Sequence, residues 1–213
     1  MDIKAVIFDM DGVLLDTETM CDTTWEMAAK EMNICGISEA VNICRGSNKG
    51  DTIAKLKEIY GIDFDSEYFI NRTSDLFHEI EESKGIPLMY YAKEILEYLS
   101  PKYHVALASS TRGVTVKRQL TNAGLISYLE TLTTGDMVTH SKPDPEIYSM
   151  ACKSLNLKPE NCVAIEDSPN GIKSALGSGM HAIMIPDKIK PTDLEKNTCW
   201  KIFDNLEGLK EVL

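Results

Sequence analysis

The sequence predicts an α/β protein: a three-layer core built on a doubly wound parallel sheet, with a small helical insert after the first strand. Three observations lead there. Short apolar runs bounded by turn residues or acids recur along the chain, and helix-period segments lie between them. One long stretch after the first run carries helical patterns and no convincing buried strand. Strands alternating with helices favour a mostly parallel sheet covered on both faces. At 213 residues the chain is long enough for one large domain, or a domain with an insert, and either buries a substantial core.

The first strand is expected over Ile3 to Phe8. Later strands are expected over Val105 to Ala108, Leu129 to Thr134, Cys162 to Ile165 and Ala182 to Ile185. Val114 to Ala123 reads as a helix stopped by Gly124. Pro145 to Leu155 and Asn170 to Leu176 read likewise, the latter followed by Gly177 and Gly179. In the insert, TWEMAAKEM, DTIAKLKEIY and DSEYFINRTSDLFHEIEE have helical period. Residues 1–16 and 85–213 are therefore assigned to the core and 17–84 to the insert. Two short hinges, near Leu15 to Thr17 and Gly85 to Leu88, are expected to join them and to let the insert move. Trp25, Tyr68, Met89 and Tyr90 read as core residues.

The formal net charge is −11, which argues against nucleic acid and against anionic membranes as partners. No apolar stretch approaches the roughly 18 residues of a membrane span. The N-terminus turns acidic too soon for a signal peptide, so the cytoplasm is the expected compartment. Oligomeric state is not legible, and a monomer is the default. The six cysteines, Cys21, Cys35, Cys44, Cys152, Cys162 and Cys199, form no CxxC pair and read as reduced, packing thiols. His78, His104, His140 and His181 show no ligand spacing and read as structural or solvated.

The segment DMDGVLLD, residues 9–16, places three acids directly after an apolar run. Such carboxylates are costly unless something neutralises them. In an open α/β sheet, ligands bind beyond the carboxyl ends of the strands. The predicted strands end in Asp9 and Asp11, in Ser109, Ser110 and Thr111, and in Glu166 and Asp167, while Lys142-Pro143 follows the third strand. Four acids converging on one rim call for a cation, and oxygen ligands suit Mg²⁺. A hard cation, a lysine and hydroxyls make a phosphate site, in which one carboxylate serves as nucleophile and a second as acid and base.

DMDGVLLDTE, ALASST, SKPDPEIY and AIEDSPNGI resemble, in order, the four motifs of the haloacid dehalogenase-like hydrolase superfamily. The similarity is greatest to the β-phosphoglucomutase-like phosphatases, and the insert resembles their cap domain on a Rossmann-like core. The resemblance implies that Asp9 attacks phosphorus and becomes an aspartyl phosphate, and that Asp11 protonates the leaving oxygen and then activates water. It implies that Ser109 contacts the transferring phosphoryl group and that Lys142 offsets negative charge. Ser110 is a minor phosphate contact or a helix cap, and Thr111 is also a candidate cap. Asp9, the Asp11 carbonyl and Asp167 would bind Mg²⁺, with Glu166 acting through water. Asp11 also sets the chain apart from the superfamily's dehalogenases, whose pattern lacks that second aspartate.

Within the cap, CRGSNKGD, residues 44–51, lacks the GxxxxGK[ST] spacing of a nucleotide phosphate loop. The resemblance makes it a specificity loop in which Arg45 and Lys49 contact a distal phosphate or sugar hydroxyl; the alternative is an exposed basic loop. The expected activity is hydrolysis of a small phosphorylated metabolite, such as a sugar phosphate. The alternatives are a sugar phosphomutase of the β-phosphoglucomutase type and, in another class, a non-catalytic phosphate-binding or phospho-switch protein. Two departures disfavour the mutase. Cys21 stands where its pattern has a histidine, and Lys49 stands where it has an arginine.

Overall fold

The structure is a computed structural model that describes residues 1–45, 47 and 49–213. Gly46 and Asn48, in the predicted specificity loop, lie outside the described residues. The chain forms two compact units, Met1–Asp16 with Pro87–Leu213, and Thr17–Ile86.

The first unit is built on a six-stranded sheet. Its strands are β1 (Ala5–Phe8), β2 (His104–Ser109), β3 (Thr131–Thr134), β4 (Cys162–Glu166), β5 (His181–Met184) and β6 (Lys201–Ile202). All pairs are parallel, in the order β3-β2-β1-β4-β5-β6. The helices of this unit are α5 (Ala92–Leu99), α6 (Gly113–Asn122), α7 (Glu146–Ser154), α8 (Pro169–Gly177) and α9 (Asp193–Thr198). From β1 the chain winds one way through β2 and β3, then returns to β4 on the other side of β1. Right-handed crossovers therefore place α5 and α6 on one face and α7 and α8 on the other.

Burial on both faces explains why the strands read as continuous apolar runs. Ala5, Ile7, Ala106, Ala108, Ala164, Ala182 and Met184 pack against Ile147, Tyr148, Ala151, Cys152, Ile172 and Ala175 of α7 and α8. The alternate residues Val6, Phe8, Val105, Leu107, Val163 and Ile165 are equally buried and, by the pleat, face the other way. The five expected strands are present with ends shifted by one or two residues. β6 was not expected, because two residues carry no periodicity.

Among its described residues, the second unit holds four helices: α1 (Thr17–Glu31), α2 (Ile37–Cys44), α3 (Lys49–Tyr60) and α4 (Ser66–Lys84). Ala28, Ala29, Ile37, Ala40, Cys44, Leu56, Phe69 and Leu76 form its core. Trp25 meets Phe69 edge-on, with ring centroids 5.2 Å apart. The eight-residue α2 is the helix the periodicity did not single out. It starts where Gly36 turns into the left-handed region, φ 74°. Tyr68 and Tyr90 are corrections to the expected core, being 57 % and 84 % exposed. On α4 the core position is taken by Phe69, and Tyr68, about 100° around the helix, faces outward.

The two points where the chain leaves and re-enters the first unit lie side by side. Asp16 N donates to the Pro87 carbonyl at 2.9 Å, and Met89 N donates to the Leu14 carbonyl at 3.0 Å. Leu15 and Leu88 form an antiparallel bridge between these bonds.

Among the described residues, no helix is long and apolar enough to cross a membrane. Among the described residues no disulfide joins the six cysteines, and Cys44, Cys152 and Cys162 are buried.

Candidate active site

The strand register sets the site. Phe8 pairs with Leu107 on one side and Ile165 on the other. One residue further, Asp9 leaves β1 beside Ala108 and Glu166, its N–H bonded to the Ile165 carbonyl at 3.0 Å. This is where the winding of the sheet reverses, the position at which α/β sheets bind ligands.

Lys142 reaches this point from the loop between β3 and α7. Its ammonium donates to Asp9 Oδ1 at 2.7 Å, to Glu166 Oε1 at 2.6 Å and to the Ala108 carbonyl at 3.0 Å. An ammonium has three N–H donors, so all three are matched. The loop is fixed from below: Ser174 of α8 donates to the Asp144 carbonyl at 2.6 Å, and Asp144 caps α7 by accepting from Glu146 N at 2.9 Å.

Asp9, Glu166 and Asp167 present carboxylate oxygens within 4.8 Å of one another. Burial pushes the Asp9 pKa up to about 7 against the pull of Lys142, with Glu166 and Asp11 adding to the rise. Burial also works against the Lys142 ammonium, but Asp9 and Glu166 outweigh it and hold that pKa above the usual lysine range. Three clustered acids with one lysine leave an excess of negative charge, and the all-oxygen donor set fits a hard divalent cation.

Asp11 is half-buried, and its Oδ2 accepts from the Thr111 hydroxyl at 2.9 Å. Ser109 is fully buried at the end of β2, and its Oγ accepts from Thr111 N at 3.1 Å. Ser110 is exposed. The helix-cap readings of Ser110 and Thr111 are corrected: the N-terminus of α6 is capped by Asp136, which accepts from Gly113 N at 2.8 Å. Asp136 follows β3 and was invisible as a cap because it is distant in sequence.

Close backbone approaches shape the same rim. Gly12 has φ +73°. A Cβ on Gly171, in the first turn of α8, would overlap the Glu166 carboxylate, and one on Gly135 would overlap the Ser110 carbonyl. Glu166 has two further partners that sequence reasoning missed. The Tyr148 hydroxyl donates to Oε1 at 2.8 Å, and the Ser168 hydroxyl to Oε2 at 3.2 Å. Tyr148 closes the motif SKPDPEIY, which was the available signal.

In the second unit, the Arg45 guanidinium pairs with Glu18, and with Asp22 at 2.8 Å. Lys49 is exposed, 3.4 Å from Asn71 Oδ1. His140, Asp144 and Glu146 form a second group of potential metal ligands. Glu146 already accepts from Thr139 N at 3.0 Å and His140 N at 2.8 Å, which gives the group a structural role in the Lys142 loop.

A parallel sheet with this acidic switch point and a helical insert defines a phosphoryl-transfer type of α/β hydrolase. The chain belongs to the haloacid dehalogenase-like hydrolase family, whose pattern it matches over residues 6–185. It is 32 % identical to the phosphorylated carbohydrates phosphatase of Thermotoga maritima over 85 % of this chain and 84 % of that protein. It is 31 % identical to a provisionally assigned phosphatase of Bacillus subtilis, over 89 % and 86 % of the two chains. A solved structure from Thermotoga maritima, provisionally assigned as a β-phosphoglucomutase, superposes with a TM-score of 0.82 at 28 % identity, covering 99 % of this chain and 100 % of that one.

Proposed function

We propose that the chain is a Mg²⁺-dependent phosphatase that hydrolyses a small phosphorylated metabolite, a sugar phosphate, through an aspartyl phosphate on Asp9. The observation that carries this reading is the Lys142 ammonium held between Asp9 and Glu166, beside a third carboxylate on Asp167. The sugar assignment leans on the relative named for phosphorylated carbohydrates.

Asp9, Asp167 and the Asp11 carbonyl would hold Mg²⁺, with Glu166 behind them. When bound, Mg²⁺ neutralises charge on the phosphoryl oxygens and favours ionised Asp9. The Asp9 carboxylate attacks phosphorus, and Lys142 lowers the repulsion between that carboxylate and the incoming phosphate. Asp11, oriented by Thr111, protonates the leaving oxygen and then removes a proton from the attacking water. Ser109 Oγ accepts from Thr111 N, which leaves its hydroxyl proton for a phosphoryl oxygen.

The mutase reading is favoured by the provisional name of the structural neighbour. Cys21, half-buried in α1, weighs against it, because a thiol does not replace a cationic imidazole donor.

The test is phosphate release from a panel of sugar phosphates and nucleotides with Mg²⁺. Release that stops with EDTA and in Asp9→Asn supports the phosphatase. No release by the wild-type protein from any ester overturns it. Conversion of β-glucose 1-phosphate to glucose 6-phosphate without net phosphate release makes the protein a mutase.

A further inference from the structure

We infer that Tyr148 is a positioning residue of this site: its hydroxyl sets how strongly Glu166 competes with Asp9 for the Lys142 ammonium. The inference rests on the phosphoryl-transfer reading for its kinetic consequence, but its geometry stands apart from it.

Glu166 is fully buried at the end of β4. Its Oε1 receives two donors at once, Lys142 Nζ at 2.6 Å and Tyr148 OH at 2.8 Å. The same ammonium is 2.7 Å from Asp9 Oδ1 and 5.0 Å from the centroid of the Tyr148 ring. Tyr148 is itself fully buried on α7, one of the largest side chains of the core, so its hydroxyl has no water to turn to. The Gly171 backbone comes so close to the Glu166 carboxylate that a Cβ there would overlap it. The carboxylate is thus held on several sides, and one phenol proton sets how much of its charge remains for Lys142.

A carboxylate that loses a hydrogen-bond donor becomes a stronger attractor of nearby cations. Without the Tyr148 hydroxyl, Glu166 would draw Lys142 toward itself and away from Asp9. The acidic cluster as a whole would also hold a divalent cation more tightly. Turnover and metal affinity should therefore move in opposite senses, whereas a residue that only fills space would weaken both when altered.

Tyr148→Phe removes the hydroxyl and keeps the ring. The experiment measures Mn²⁺ or Mg²⁺ affinity by isothermal titration calorimetry, and kcat and KM on the best ester, for the wild type, Tyr148→Phe, Glu166→Gln and the double variant. Expected for folded Tyr148→Phe are a fall in kcat of roughly tenfold, a KM within about twofold, and a metal Kd lower by roughly threefold or more. Expected in the Glu166→Gln background is that Tyr148→Phe changes neither quantity by more than about twofold, since the charge that its hydroxyl tempers is gone. The inference is overturned if Tyr148→Phe leaves kcat and metal affinity unchanged, if both weaken together, or if its effects persist in full beside Glu166→Gln. If Tyr148→Phe does not fold, 3-fluorotyrosine at position 148 supplies the test with opposite sign: a stronger donor raises the metal Kd, and an unchanged or lower Kd overturns the inference. If the wild type hydrolyses no ester, the phosphatase reading falls, and the metal titrations still decide the role of Tyr148.

Discussion

A Cβ placed on Gly12 would lie 2.7 Å from Asp167 Oδ2, although the two residues are far apart in the sequence. The DxDG turn therefore meets the acidic end of β4 with no room for a side chain between them. Gly12 is also in the left-handed region, where an L-residue costs about 1–2 kcal/mol. Gly12→Ala should lower the unfolding temperature by several degrees. It should also weaken divalent-cation binding at least tenfold, because the Asp167 carboxylate must move. Differential scanning fluorimetry and metal titration check the two parts separately.

Asp9 should make the metal-free protein pH-sensitive. Its folded pKa of about 7 lies above its unfolded value, so the folded state binds the proton more tightly. For a carboxylate raised in this way, stability is highest at acid pH and falls as pH rises from about 4 to about 7, by on the order of a few kcal/mol. The measurement is urea unfolding in EDTA at pH 4.5 and 7.5, wild type against Asp9→Asn. The stability difference between the two proteins should shift in favour of Asp9→Asn on going from the lower pH to the higher, because only the wild type pays for ionising this side chain. Equal pH dependence in the two proteins would contradict the buried, charge-crowded site.

Arg45 holds Glu18 and Asp22 together, and its side chain is only 13 % exposed. Arg45→Ala leaves two neighbouring carboxylates without their shared cation. The expected loss is about 1–2 kcal/mol, less than for a buried pair because both acids remain partly in water. Arg45→Lys should recover only part of it, since an ammonium lacks the planar fork. Chemical denaturation measures the loss. A rise in KM without loss of stability would instead favour direct substrate contact.

Much of this architecture was legible because the strands are buried on both faces and end in acids. An apolar run such as AVIF followed by DMD, or CVAI followed by ED, marks both a strand and its functional end. What escaped was what distance in sequence conceals. Nothing local says that the Tyr148 hydroxyl meets Glu166, that Asp136 caps α6, or that Gly171 touches a carboxylate. Tyr148 sits at a position that helical period assigns to the core, and it is in the core, so its polar tip carried no separate signal. A lone sequence likewise does not show that Arg45 pairs with Glu18 and Asp22 of α1. Asp9, by contrast, directly follows the last apolar residue of its strand, and Lys142 lies in a Lys-Pro pair just beyond the third strand.

The paired backbone at Leu14–Asp16 and Pro87–Met89 has a consequence for how such a chain changes over time. Seventy residues, Thr17–Ile86, leave and return through a doorway one hydrogen bond wide. Closure entropy between two fixed ends grows only slowly with the length between them, by about 0.6 kcal/mol per doubling. The sheet and its acids are therefore only weakly sensitive to the length of what is spliced there. Residues 17–86 can lengthen or shorten while the β1 and β4 ends that carry Asp9, Glu166 and Asp167 keep their register.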